Sequence, residues 1–326
     1  MFAIILPVYN SSLYLNECIE SILNQTYDDF VVYAVDDGST DDSLEILKQF
    51  QKRDSRIKIF SKNNGGVSSA RNVALSALDK ETRSINYVLF VDSDDILDKR
   101  CLEICSKEMP GVDILIGSFT RFSGNSFYPT FNSVKTKQKL NQAELCDRYF
   151  HLKKWSKGVT SDYFLCNKCF AYQVIRGVRF NEKLKRAEDQ DVMLKLLPNI
   201  RDAVLLPENL YFYRVRDNSL SHSEKYEDFT DELRVYKSYL SRKDYPNCVR
   251  EGIQHRYIQK LWTNMSNILN SSLDLKAKNA LYVSNKDNLK VTFDYPLTKK
   301  EKKRLLLLQM GFWVNLVLST CRKKKK

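Results

Sequence analysis

The first hundred residues alternate between two hydrophobic periods. Short, unbroken apolar runs, FAIILPVYN at 2–10, FVVYAVDDGS at 30–39, IKIFS at 57–61 and YVLFVDSDD at 87–95, have the length and polar closure of strands buried on both faces. Between them the spacing turns helical. Leu13, Cys18, Ile19, Ile22 and Leu23 mark one helix in 13–25, and Leu44, Ile46, Leu47 and Phe50 a second in 41–51, with Asp41 as its candidate N-cap. NNGGVSSARNVALSAL at 63–78 is a glycine-rich turn opening a third. Strand and helix in fourfold alternation predict a parallel sheet with helices on its faces.

Beyond about residue 98 the pattern loosens. CLEICSKEM predicts a helix, VDILIGSFTRF at 112–122 a strand, 123–140 a polar excursion and 141–152 another helix. RAEDQDVMLKLLPNI at 186–200 is a helix that begins in an acidic cluster, AVLLPENLYFYRVR at 203–216 contains two strands, and 226–290 is mostly helical. No internal repeat is present. The last apolar run, LLLLQMGFWVNLVLSTC at 305–321, lies between KKEKKR and RKKKK. Its 17 residues stand at the lower edge of what spans a bilayer, and Gln309, Asn315 and Ser319 interrupt it. Phe312, Trp313 and the basic flanks suit a helix lying in a membrane interface, with a packed terminal helix or a partner helix as the alternative.

Composition changes this picture little. A chain of 326 residues, 43% hydrophobic and 28% charged, buries a sizeable core in one large domain or in one and a half. The net charge of +12 suggests nucleic acid until its distribution is read: residues 299–326 hold ten Lys or Arg against the single Glu301. A nearly neutral body with a basic tail argues against a nucleic-acid groove. The eight cysteines are thinly spread, and MFAIILPVYN has no basic segment of a secretory signal, so a reducing cytoplasm is expected. CNKC at 166–169 has the spacing of half a zinc site, but no second pair or spaced His accompanies it, which favours buried structural thiols.

Ligands of open parallel sheets bind outside the carboxyl ends of the strands. Three predicted strands end there in polar clusters, Tyr9-Asn10, Asp36-Asp37-Gly38 and Asp92 to Asp95, which one pocket could collect. In VDSDD two carboxylates can converge on a hard cation, since Mg²⁺ binds through one or two carboxylates plus substrate phosphates; a solvated turn capping a helix from about 96 is the structural alternative. VDDGSTDDS offers Asp36 or Asp37 to a base or ribose, or is a turn and helix cap. NNGGVSSARN opens a helix N-terminus to an anion, with Arg71 one turn in. Glu188, Asp189 and Asp191 stand at a helix start, where the helix dipole favours them and where one could act as general base. YRVRDNSLSH at 213–222 supplies Arg214, Arg216, Ser219 and His222, donors suited to a diphosphate, with His222 able to ligate a metal.

The ordered set ILPVYN, DDGSTD, NNGGVSSARN, FVDSDD, Asn167-Lys168, Glu188-Asp189 and YRVRDNSLSH resembles a family 2 glycosyltransferase over roughly residues 1–222. The resemblance implies the α/β GT-A nucleotide-diphospho-sugar transferase fold, with a mainly parallel central sheet flanked by helices. It divides the chain into a transferase domain at 1–222 (nucleotide half to about 97, acceptor half after it), a helical extension at 223–298 and a basic amphipathic tail at 299–326. It also implies inverting transfer of a sugar from a nucleotide diphosphate, expected to be a UDP-sugar, to an acceptor hydroxyl, assisted by Mg²⁺ or Mn²⁺. Pro7, Tyr9, Asn10 and Asp37 would line the nucleoside pocket, Arg71 would lie beside the base or diphosphate, and Asp92 and Ser93 would approach the ribose or a metal-bound water. Asp94 would hold the metal, Arg214, Arg216 and Ser219 the diphosphate, and His222 the diphosphate or metal. Asp189 would be the base, Glu188 its support, Asp191 a rival and Asp95 a helix cap. The tail extends the expectation to a lipid-linked or other cell-surface glycan acceptor, with the protein held peripherally at the inner face of the cell membrane. A sugar nucleotidyltransferase would need a glycine-rich loop with lysine near the N-terminus, which ILPVYN is not; a non-catalytic scaffold would not need Arg71, Asp94 and Asp189 together.

Overall fold

The computed structural model describes residues 1–124, 126–128, 134–152, 164–216, 228–271, 273–310 and 315. Two compact units emerge, Met1–Ser223 and Glu224–Lys326. The first begins β1 (Phe2–Val8), α1 (Ser12–Leu23), β2 (Phe30–Asp36), α2 (Ser43–Arg53), β3 (Ile57–Ser61), α3 (Val67–Leu78) and β4 (Tyr87–Phe90). These follow the alternation of the sequence. It continues with β5 (Ile96–Leu97), α4 (Cys101–Glu108), β6 (Ile114–Ser123), β7 (Ser126–Phe127), β8 (Gln138–Asn141), α5 (Gln142–Tyr149), β9 (Lys168–Ala171), α6 (Tyr172–Ile175), α7 (Glu188–Leu196) and β10 (Asp202–Arg214).

One sheet runs in the order β3-β2-β1-β4-β9-β6-β10-β5, with β7 on β6 and β8 on β10. From β3 to β4 every pair is parallel. All seven residues of β1 and of β2 are buried, as continuous apolar strands covered on both faces must be. Past β4 the ladder becomes mixed, because β9 enters antiparallel between β4 and β6. Pro7 is tolerated in the central β1 for a local reason. The Val8 carbonyl accepts from the Asp37 N–H, so Pro7 faces the other flank, where β4 has already ended at the pair Ile5/Phe90.

Two expectations are corrected. Residues 203–216 do not form two strands: β10 is a single 13-residue strand parallel to β6, and register shifts between Leu205 and Asn209 and again before Tyr211 absorb Pro207. No helix starts at 96 for Asp95 to cap, because Ile96 and Leu97 pair with Phe212 and Tyr211 as β5. Asp41, the expected N-cap, lies one residue before the N-cap position of α2. Its carboxylate nonetheless accepts from the Ser43 N–H (3.0 Å) and, across the loop, from the Ser12 N–H (3.0 Å), fastening the starts of α1 and α2 together.

The second unit contains α8 (Asp228–Tyr239), α9 (Asn247–Asn270), α10 (Leu275–Ser284) and α11 (Lys299–Gln309). Helix α9 buries Val249, Ile253, Tyr257, Leu261, Met265 and Ile268 along one stripe and packs against α8, α10 and α11. Part of the predicted run at 305–321 packs into this helical unit. Within α11, Leu308 is buried, and the Glu301 carboxylate is buried against His255 Nδ1 (2.8 Å). Asn315 is buried too, bonded to the Tyr282 hydroxyl and the Leu307 carbonyl. Lys302, Lys303, Leu306 and Met310 form the exposed face. The rest of 311–326 lies outside the described residues. Among the described residues no helix is long and apolar enough to cross a membrane.

Candidate active site

The loops that leave β1, β2 and β4 meet at one edge of the sheet, as its parallel order requires. Asn10, in the left-handed region at φ 47°, accepts the Thr40 N–H with its Oδ1 (2.8 Å), and its own N–H donates to Ser39 Oγ (3.1 Å). The Ser11 hydroxyl meets that of Ser93 at 2.7 Å, joining the β1 loop to the loop after β4. Tyr9 remains half exposed at the rim. Pro7 is buried beneath it.

Asp37 is almost wholly buried and solves a local electrostatic problem. Its carboxylate accepts from the N–H groups of Gly65 (3.0 Å) and Gly66 (2.7 Å) and from Lys62 Nζ (2.7 Å). Gly66 is the N-cap position of α3 and offers no side chain, so the anion at this helix N-terminus is a carboxylate of the protein itself. Gly38 permits the approach: its φ is 74°, and a Cβ there would stand 2.8 Å from the Asn64 nitrogen. Lys62 carries no motif signature, and only the folded loop shows its part.

Arg71, expected beside a base or diphosphate, is buried among carboxylates. One turn into α3 and 4% exposed, it donates from Nη2 to Asp92 Oδ1 (3.0 Å) and from Nη1 to Asp189 Oδ1 (2.8 Å), with Glu188 Oε1 at 3.5 Å. The Phe180 ring lies 5.2 Å from its guanidinium carbon. Glu188 and Asp189 open α7 directly after Ala187, whose φ of 62° is a strained conformation for a residue with a Cβ. The turn delivers both carboxylates to Arg71. Asp189 Oδ2 also accepts the Leu165 N–H (3.2 Å). Burial pushes the Asp189 carboxyl up, partly offset by Arg71, and burial with the neighbouring Asp189 charge pushes Glu188 up to about 7. Asp191 faces elsewhere, paired with Lys195 Nζ at 2.7 Å. Of the Asn167-Lys168 pair, Lys168 is buried and donates to Asn167 Oδ1 (2.8 Å) and to the Phe164 carbonyl (2.5 Å).

In the loop after β4, Asp92 keeps a third of its side chain exposed and Asp94 about a seventh. Burial, then the charge of Asp92, holds the Asp94 carboxyl above the usual carboxylate range, and Arg216 Nη2 stands 2.7 Å from its Oδ2. Arg214 has two protein partners: its Nε donates to the Asp94 carbonyl (2.7 Å), and its Nη2 reaches Glu17 (2.5 Å). Ser219 and His222 lie outside the described residues. Among the described residues no three of His, Cys, Asp and Glu converge on a metal position. A hard cation needs no such cage when substrate phosphates complete its shell, and a carboxylate strained by burial and a like charge gains from one. Asp94 therefore fits. The cysteines do not: Cys101, Cys105, Cys166 and Cys169 line a small buried cavity, and burial raises the Cys166 thiol well above its ordinary value, the condition of inert packing thiols.

This sheet, with acidic loops at its carboxyl edge, defines the GT-A class of sugar-transferring folds. The S. aureus TarS structure of residues 1–349 in complex with UDP-GlcNAc superposes with a TM-score of 0.74 at 20% identity, covering 97% of this chain and 88% of that one. The sequence model of Glycosyl transferase family 2 matches residues 3–174, and the chain belongs to that family. Glycosyltransferase GlyG of Streptococcus pneumoniae is 26% identical over 272 residues, 81% of this chain and 86% of its own length. The poly(ribitol-phosphate) beta-N-acetylglucosaminyltransferase TarS of Staphylococcus aureus is 25% identical over 268 residues, 79% of this chain but 44% of TarS.

Proposed function

We propose that the chain transfers a sugar, with inversion, from a uridine diphosphate donor to a hydroxyl of a lipid-linked or other cell-surface glycan. The observation that carries this reading is the Arg71 guanidinium, which draws Asp92, from the loop expected to hold the donor, and Asp189, the expected base, to within 3.0 Å of one group. The base and the donor loop thus share one edge of the sheet, as attack from the face opposite the leaving group requires.

Asp189 takes the proton of the acceptor hydroxyl, and Glu188 supports it or binds the acceptor. Tyr9 and Pro7 border the nucleoside, while Asn10 and Asp37 hold the two loops around it. Asp92 and Ser93 meet the ribose. Asp94, with His222, would hold Mg²⁺ or Mn²⁺, which supplies positive charge to the departing diphosphate. Arg214, Arg216 and Ser219 would bind the diphosphate. The complex of TarS with UDP-GlcNAc supports a nucleotide-sugar donor, and TarS, named for transfer to poly(ribitol-phosphate), supports a glycan acceptor. A mannosyltransferase of the same fold from Pyrobaculum calidifontis, at TM-score 0.57, was solved with GDP-Man and Mn²⁺, which supports a divalent cation.

The decisive measurement is a panel of UDP- and GDP-sugars, scored by thermal stabilisation and by donor hydrolysis with Mn²⁺ and with excess EDTA. A UDP-sugar at a hundred times its Kd is expected to stabilise the fold by about 2.7 kcal/mol. Neither stabilisation nor turnover with any UDP-sugar would defeat the proposal.

Peripheral attachment at the inner membrane face is part of the same reading, supported by the lysines and apolar residues that α11 exposes at 302, 303, 306 and 310. Cosedimentation is expected with phosphatidylglycerol vesicles and not with phosphatidylcholine vesicles. Because Glu301, Leu308 and Asn315 are built into the helical unit, the informative variant removes 316–326 and replaces Lys302 and Lys303 by Ser, leaving α11 in place. Undiminished binding by that variant would place the attachment elsewhere.

A further inference from the structure

The loop carrying Asp92, Ser93, Asp94 and Asp95 is held from β10, not from the strand it follows. Tyr211, wholly buried, donates its hydroxyl proton to Asp95 Oδ2 (2.7 Å), and its phenol oxygen accepts the Asp92 N–H (3.1 Å). Three residues on, the Arg214 N–H donates to Asp95 Oδ1 (2.7 Å). The Asp95 N–H returns to the Asp92 carbonyl at 3.0 Å, closing the turn. One phenol oxygen therefore ties the first residue of the D-S-D-D turn to the last. Asp95 is 1% exposed, so a carboxylate deprived of water draws the hydrogen bonds to both its oxygens from β10.

We propose that Tyr211 is a positioning residue of the donor site: through Asp95 and the Asp92 amide, its hydroxyl sets the separation and direction of the Asp92 and Asp94 carboxylates. This rests on the reading that those two carboxylates receive the ribose and the cation. Tyr211 itself, with no exposed surface, touches neither. Its ring would pack as well in a phenylalanine, and only the hydroxyl joins the two ends of the turn. Without it the Asp92 N–H loses its acceptor and Asp95 loses one of two donors, so the turn no longer holds the Asp92 and Asp94 carboxylates in one arrangement.

The test compares wild type, Tyr211→Phe, Asp95→Asn and Asp94→Ala for the Kd of UDP in Mn²⁺, the Mn²⁺ concentration that half-saturates UDP binding, and the melting temperature. With the nucleotide sugar selected by the panel, KM and kcat are measured as well. Tyr211→Phe is expected to weaken UDP binding and raise the Mn²⁺ requirement about tenfold each, and to raise donor KM while kcat at saturation stays within about twofold. A lower melting temperature with unchanged UDP affinity and Mn²⁺ requirement would make Tyr211 a structural residue only and overturn the proposal. Should Tyr211→Phe fail to fold, Asp95→Asn is read by the same criterion. If Asp94→Ala also leaves the Mn²⁺ requirement unchanged, the assignment of Asp94 falls, and that outcome is distinct from a failure confined to Tyr211.

Discussion

Replacing Asp189 by Asn is expected to lower kcat by about a thousandfold while leaving donor affinity within about threefold of wild type. Asn occupies the same volume and keeps an oxygen for Arg71 Nη1, now 2.8 Å from Asp189 Oδ1, so the bridge to Asp92 is preserved. What disappears is the basic carboxylate. Steady-state kinetics with a donor-binding measurement check this, and a matching loss of donor affinity would show that Asp189 organises the donor instead. The pH profile provides a second reading of the same site. Burial pushes Asp189 up and Glu188 up to about 7, so kcat/KM should rise with pH as the interacting pair loses its protons. Stability should move oppositely. Between the unfolded value of Glu188 and about 7 the folded state binds the extra proton, so the melting temperature should fall as pH rises through that window, and less so in Glu188→Gln.

Asp94→Ala is expected to reduce metal-dependent donor affinity by about 10- to 100-fold and to remove the response of activity to Mn²⁺. The carboxylate is held above its ordinary range by burial and by Asp92, and Arg216 is its counter-charge at 2.7 Å. A cation brought by a diphosphate would relieve the first condition and free Arg216 for the phosphates. Asp94→Asn, which keeps the shape and loses the charge, should fall between the two. Titration of UDP binding against Mn²⁺ measures both. Full donor affinity and activity of the wild type in excess EDTA would exclude a cation-holding role for Asp94.

The alternation of β1 to β4 with α1 to α3 was legible because each element declares itself within a dozen residues: runs such as FAIILPV bury both faces, and helical spacing needs only three turns. The acidic residues at the strand ends were legible as a cluster for the same reason. Their partners were not. Arg71 and Asp189 are separated by 118 residues, and Tyr211 and Asp92 by 119, and nothing in either local pattern announces the pairing. Asp95 has the local pattern of a helix cap, because an aspartate before an apolar residue looks the same whether a helix or a two-residue strand follows. Asp37 at the α3 N-terminus shows the same limit from the other side. The glycine-rich turn correctly signalled a place for an anion, and only the folded chain shows the protein supplying it.

Taken alone, the sequence determined the period of each element, the parallel half of the sheet and the set of carboxylates available for chemistry, since these depend on side-chain polarity at short range. The tertiary structure decided which carboxylates face one another, which arginine is turned inward and which buried hydroxyl holds the turn. Those choices follow from long-range burial, where a charge withdrawn from water must find its partner wherever the fold brings one.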